Sequence, residues 1–154
     1  MSFDLILEIA MRWLHIFGAI TAVGASIFAL VVIVPTMAKL PEDARNAFHA
    51  AARPKFAMLI HMAIMALLVS GIYNYIVVMR AKHQGQSIYD MLMGIKILLA
   101  LVIFFVASAL TGQSPTFQKI RDNRRMWLTL NVFLAAVLIA IAGYLRTIPF
   151  STAP

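Results

Sequence analysis

Four stretches of this chain are apolar over about 20 consecutive residues, and no other feature limits its fold so strongly. A helix of about 20 residues, rising 1.5 Å each, spans the roughly 30 Å hydrocarbon core of a bilayer. The stretches cover about residues 5–38, 55–80, 88–111 and 126–148. A strand or open loop would leave backbone N–H and C=O groups unpaired in lipid, so each stretch is expected to be a helix. The expected fold is therefore an all-α integral membrane protein, four transmembrane helices in an antiparallel bundle with short loops, forming one domain over residues 1–154. Composition agrees: 62% of residues are hydrophobic and 12% charged, against about 45–50% and 25% in soluble domains. The chain has no cysteine, which excludes disulfides, thiolate metal sites and thioether-linked haem.

Punctuation fits four spans. Pro35 and Pro41 are expected to end the first helix and Pro54 to open the second. Glu42–Arg53 reads as a short surface helix or a solvated extension of span two. Gln84–Ser87 reads as a polar loop, and Gly112–Pro115 breaks the chain before span four. The net charge of +7 is read as basic loops beside a membrane rather than a nucleic-acid surface. Lys39, Arg45, Arg53 and Lys55 lie in loop one, with Lys119, Arg121, Arg124 and Arg125 in loop three. Arg12, Arg80, Lys82 and Arg146 lie on the other side. This bias places loops one and three in the cytoplasm and both termini outside, in a bacterial inner membrane. Asp4 and Glu8 ahead of span one argue against a cleaved leader.

Ionisable side chains within spans are costly and mark function by default. His15, His61 and Lys96 are the three that matter. Lys96 lies six residues past Asp90, roughly 9 Å of helix, which sets it in the same leaflet as His15, Arg12 and Arg146. His61 belongs to the other leaflet. His15 shares a helix face with Met11, Gly18, Ala22 and Ser26. Such a small-residue stripe either packs a neighbouring helix closely or leaves room for a flat ligand. Histidine beside small residues, with cations near, suits haem b. His15 would ligate iron, Gly18 and Ala22 would admit the macrocycle, and Arg12 and Arg146 would pair with propionates. Lys96 would be a propionate partner or, as a neutral amine, a second axial ligand; its bland reading is snorkelling to the headgroups.

Met58, His61, Met62 and Met65 form a Met/His stripe, the soft donor set that copper prefers, although methionine is also a common gap-filler. Asn131 is placed to hydrogen-bond His61. His49 and His83 read as solvated loop residues. Trp13, Trp127, Tyr89 and Tyr144 read as interfacial anchors. No phosphate loop, paired carboxylates or Ser/His/Asp set is visible, so hydrolysis is not expected.

Trp13-Leu14-His15-Ile16 with Gly24, Phe28 and Pro35, then Arg53-Pro54, Ser70-Gly71, Tyr89 and Gly94-Ile95-Lys96, resemble the copper resistance protein D (CopD) superfamily. That group includes the HemJ-type protoporphyrinogen oxidases. The resemblance implies a four-helix membrane protein in which His15 is associated with haem b and Lys96 is a family feature. It also implies either porphyrinogen oxidation or copper uptake. The expectation is thus a haem b protein for electron transfer or redox chemistry, with a quinone or redox protein as partner. The alternatives are a CopD-type copper-binding protein and a cofactor-free subunit of a membrane complex. A homo-oligomer is compatible with each.

Overall fold

The computed structural model describes residues 2–80, 83 and 85–150. Four helices are long and apolar enough to cross a membrane: α1 (Phe3–Met37), α2 (Glu42–Met79), α3 (Ser87–Thr111) and α4 (Arg124–Leu145). Among the described residues there is no strand. The protein is an all-α four-helix membrane protein. Lys82 and Gln84 lie outside the described residues. A turn of 3-10 helix (Pro115–Phe117) and a short helix (Gln118–Asp122) lead into α4.

Two boundaries depart from expectation. Pro35 does not stop α1, which continues to Met37. The preceding turn, Ala29–Ile33, is π-helical. A proline ring collides with the carbonyl four residues earlier, here Val31, and a widened turn absorbs that collision. Pro54 likewise lies inside α2, which begins at Glu42. Glu42–Arg53 is therefore the solvated extension of span two; Ala50-Ala51-Ala52 supplies strong helix formers just before the proline. A helix of 38 residues is about 57 Å long, so its N-terminal turns project beyond the hydrocarbon layer.

α1 packs chiefly on α2, and α3 on α4; the two hairpins join through α2–α3 and α1–α4. Gly18 sets the closest approach in the first pair. A Cβ there would lie 3.1 Å from Leu67 Cγ, 3.2 Å from the Ala63 carbonyl oxygen and 3.4 Å from Ala66 Cβ. The small-residue stripe is thus a packing seam at Gly18. Ser26, further along it, is buried and returns its hydroxyl to the Ala22 carbonyl.

Apolar clusters close the two ends of the bundle. Ala29, Val106, Leu110 and Leu128 pack at the end holding loops one and three. Tyr89, Met93 and Leu145 pack at the other. Large apolar side chains such as Phe17, Ile20, Phe105 and Phe133 remain outside, as they do on a lipid-facing surface. Two expected interfacial anchors turn inward. Tyr89 is buried and stacks on His83 with ring centroids 3.7 Å apart. Trp127 packs on the first cluster. Trp13 and Tyr144 are exposed, as anchors should be.

Candidate cofactor site and a second, cationic cavity

His15 projects from α1 toward α2, where its Nδ1 lies 2.9 Å from Ser70 Oγ and its Cε1 lies 3.4 Å from the position of a Gly71 Cβ. Ser70 has no exposed surface. Its only hydroxyl proton is donated back along α2, to the Ala66 carbonyl. With the hydroxyl proton spent on the α2 backbone, Ser70 Oγ is placed to accept from His15 Nδ1–H, the tautomer that would leave the Nε2 lone pair for a ligand. That is the tautomer of a metal-ligating histidine, held by a partner on the opposite nitrogen. A Cβ at Gly71 would sit in van der Waals contact with the ring, so Gly71 borders His15 on α2.

Lys96, on α3, is half-buried and close enough for its charge to act on His15. It has no hydrogen bond or ion pair among the described residues. The two residues thus lie near one another in the bundle. Arg12 and Arg146 are exposed at the same end, and neither is hydrogen-bonded to His15. Gly18 and Ala22 face the α1–α2 seam described above.

The second leaflet differs more. Met58, Met62 and Met65 are 62%, 63% and 57% exposed on the outer face of α2. His61 is exposed beside them and donates from Nδ1 to the Ala57 carbonyl, 2.7 Å away. Asn131 does not meet His61: it is buried on α4, with no partner for its Oδ1. His49 and His83 are not loop residues in solvent. His49 is half-buried in α2. His83 is buried, with Nδ1 2.7 Å from Gln86 Oε1.

The donors present decide whether haem fits. Among the described residues no three His, Asp or Glu side chains converge on a point. One interior histidine with a free Nε2 can hold iron only when the other equatorial ligands arrive with the cofactor, as they do in haem. Lys96, without a hydrogen bond or ion pair among the described residues, could pair with a propionate as an ammonium or ligate iron as a neutral amine. The donor chemistry therefore fits.

A cavity of about 640 Å³ lies at the opposite end, between α1 and α2, and neither His15 nor Lys96 lines it. Its wall holds Arg53, Lys55, His49 and Arg124 together with Gly24 and Phe28. Arg53 reaches across from α2 to donate from Nε to the Thr111 carbonyl and from Nη2 to the Gly112 carbonyl. These oxygens belong to the unpaired C-terminal turn of α3. Arg121 completes the cradle at the Gly112 and Ser114 carbonyls. His49 lies in the projecting part of α2. Burial, then the guanidiniums of Arg124, Arg53 and Arg45, hold its imidazolium below the usual histidine range, so the ring is neutral at pH 7. Arg53 and Arg124 are 71 positions apart in the chain, and no sequence signal pairs them.

Arg53→Gln is expected to lower stability by about 2 kcal/mol, the scale of a charged hydrogen bond lost from a helix end. Thermal unfolding in detergent measures it, and an unchanged midpoint would show that Arg53 does not hold the end of α3.

No family model matches this chain, and neither do any curated proteins or solved structures.

Proposed function

We propose that the protein is a haem b-binding membrane protein for electron transfer or quinone-linked redox chemistry, with His15 as an axial ligand. The observation that carries this reading is the His15–Ser70–Ala66 chain inside a membrane span, which supports the tautomer with its lone pair on Nε2. The haem, when bound, supplies a one-electron ferric/ferrous couple. This chain's part is to fix the ligand's tautomer through Ser70, to keep the ring oriented against Gly71, and to offer Lys96 as propionate partner or second ligand. The resemblance to the CopD and HemJ-type proteins supports the same pair of residues, and porphyrinogen oxidation is a special case of this reading. Loops one and three are cytoplasmic in this proposal and both termini outside, in a bacterial inner membrane.

The test is an absorption spectrum of detergent-purified protein, oxidised and then reduced with dithionite, together with a pyridine haemochrome assay and metal analysis. A Soret band that shifts on reduction, with resolved α and β bands and one haem per chain, is expected. A colourless sample without iron overturns the reading. Copper in that sample would favour the methionine stripe instead.

Ser70→Ala removes the acceptor for Nδ1–H. Haem affinity is expected to fall roughly 10- to 100-fold, as when the hydrogen-bond partner of a metal-bound histidine is lost. Haem titration of the apoprotein reads this. An unchanged affinity would show that Ser70 does not orient the ligand. Lys96→Ala separates that residue's two roles: an altered ligand-field spectrum marks an axial amine, while an unaltered spectrum with weaker retention marks a propionate partner.

A further inference from the structure

The cavity between α1 and α2 is built from two unlike halves. Its rim is apolar and faces outward, with Ile20, Phe28 and Leu59 exposed. Its cations are Arg53 and Arg124, both half-buried, and Lys55, which is exposed. Arg53 and Arg124 act on each other as like charges. Among the described residues neither is ion-paired, and Arg124 Nε is buried with no partner. Placing two guanidiniums together out of water is costly unless an anion is shared between them. A smaller void behind Arg124, lined also by Asn131, measures about 10 Å³, room for at most one water. The larger cavity, lined by both guanidiniums, is the one with room for an anion of phosphate size.

Gly24 deepens that cavity. It lines the wall, and a Cβ built on it meets nothing within 4 Å. It thus differs from Gly18, earlier on the same helix, where a Cβ collides. The π-helical turn at Ala29–Ile33 places Ala29 and Ile33 on the same wall. An occupant must carry a negative head against the guanidiniums and an apolar body along the rim that opens to lipid.

We propose that this cavity is a binding site for one anionic phospholipid, its phosphate held by Arg53 and Arg124 and an acyl chain lying over Gly24 between α1 and α2. The end with more lysine and arginine is the one expected to face an anionic leaflet, where such lipids are concentrated. Phosphate is recognised by paired guanidiniums through two parallel N–H···O bonds. This site is separate from His15 and does not depend on haem.

Native mass spectrometry of the full chain, released from nanodiscs holding equal parts of a phosphatidylglycerol and a phosphatidylcholine, tests it. One retained phosphatidylglycerol per chain is expected. Gly24→Leu fills the cavity with a residue of higher helix preference, and Arg124→Gln removes the unpartnered guanidinium. Each should reduce retention roughly tenfold or more. Arg125→Gln removes an equal charge from an exposed neighbouring position outside this cavity and should leave retention unchanged. Equal retention of both lipids, no retained lipid, or equal loss from Arg124→Gln and Arg125→Gln would each overturn the proposal. So would stabilisation by inorganic phosphate alone that matches the lipid, since the site would then serve a soluble anion. Haem absorbance should survive Gly24→Leu; its loss together with the lipid would place the porphyrin here and overturn the lipid assignment.

Discussion

His15→Ala is expected to give a folded, colourless protein. The wild-type ring is held by its hydrogen bond to Ser70. Ser70 keeps its bond to Ala66 when the ring is removed, so no buried polar group is stranded. The structural loss is then about 1 kcal/mol for one hydrogen bond plus the vacated ring volume. The functional loss is complete, because no other histidine is placed to replace it: His83, buried at the same end, is stacked on Tyr89 and bonded to Gln86, His61 is exposed on the far half of α2, and His49 belongs to the cationic end. Haem per chain falls to background while helical content and elution volume stay at wild-type values. Full haem occupancy in His15→Ala would remove the foundation of the proposed function. Loss of fold instead would make His15 a packing residue, and Ser70→Ala would then decide the question at nearly unchanged volume.

The second large effect is mechanical. Gly18→Leu is expected to destabilise the bundle by about 3 kcal/mol or more, the upper range for overpacking. Leu67 Cγ, at 3.1 Å from the new Cβ, can rotate aside. The Ala63 carbonyl oxygen at 3.2 Å belongs to the backbone of α2 and cannot. The helices must part, which disturbs the nearby His15–Ser70 contact as well. Gly24→Ala, further along α1, is the matched control. Its Cβ meets nothing, so helix propensity alone applies and the change is neutral or stabilising by up to about 1 kcal/mol. Unfolding midpoints of the two variants in one detergent should move in opposite directions, or the second not at all. A Gly18→Leu midpoint equal to wild type would mean that the α1–α2 seam is looser than its distances imply.

Two glycines on one helix thus have different jobs, although nothing in their residue type separates them. The same holds for histidine. His15, His49, His61 and His83 look alike as letters; one is hydrogen-bonded to Ser70, one sits among guanidiniums, one faces outward, and one stacks on Tyr89. Depth in the bilayer was legible, because it follows from counting residues along a rod of fixed rise. His15 and Lys96 could therefore be paired from residue counts alone. Azimuth was not legible. It is normally inferred from a polar face opposite an apolar one, but a lipid-facing helix is apolar on both faces. Asn131 could thus be assigned to His61 by depth, while its side chain in fact points into the core.

The four spans, their approximate extents and the leaflet of each ionisable residue follow from amino-acid order, because hydrocarbon thickness and the need to pair every backbone amide permit little else. Which face of each helix turns inward does not. Only the packed bundle brings Ser70 against His15, leaves the methionine stripe outside, and brings Arg53 and Arg124 into one cavity. The physical reason is that side-chain packing at contacts such as Gly18 against Ala63 sets helix rotation. That packing depends on the shapes of two helices at once, and neither helix's own sequence contains it.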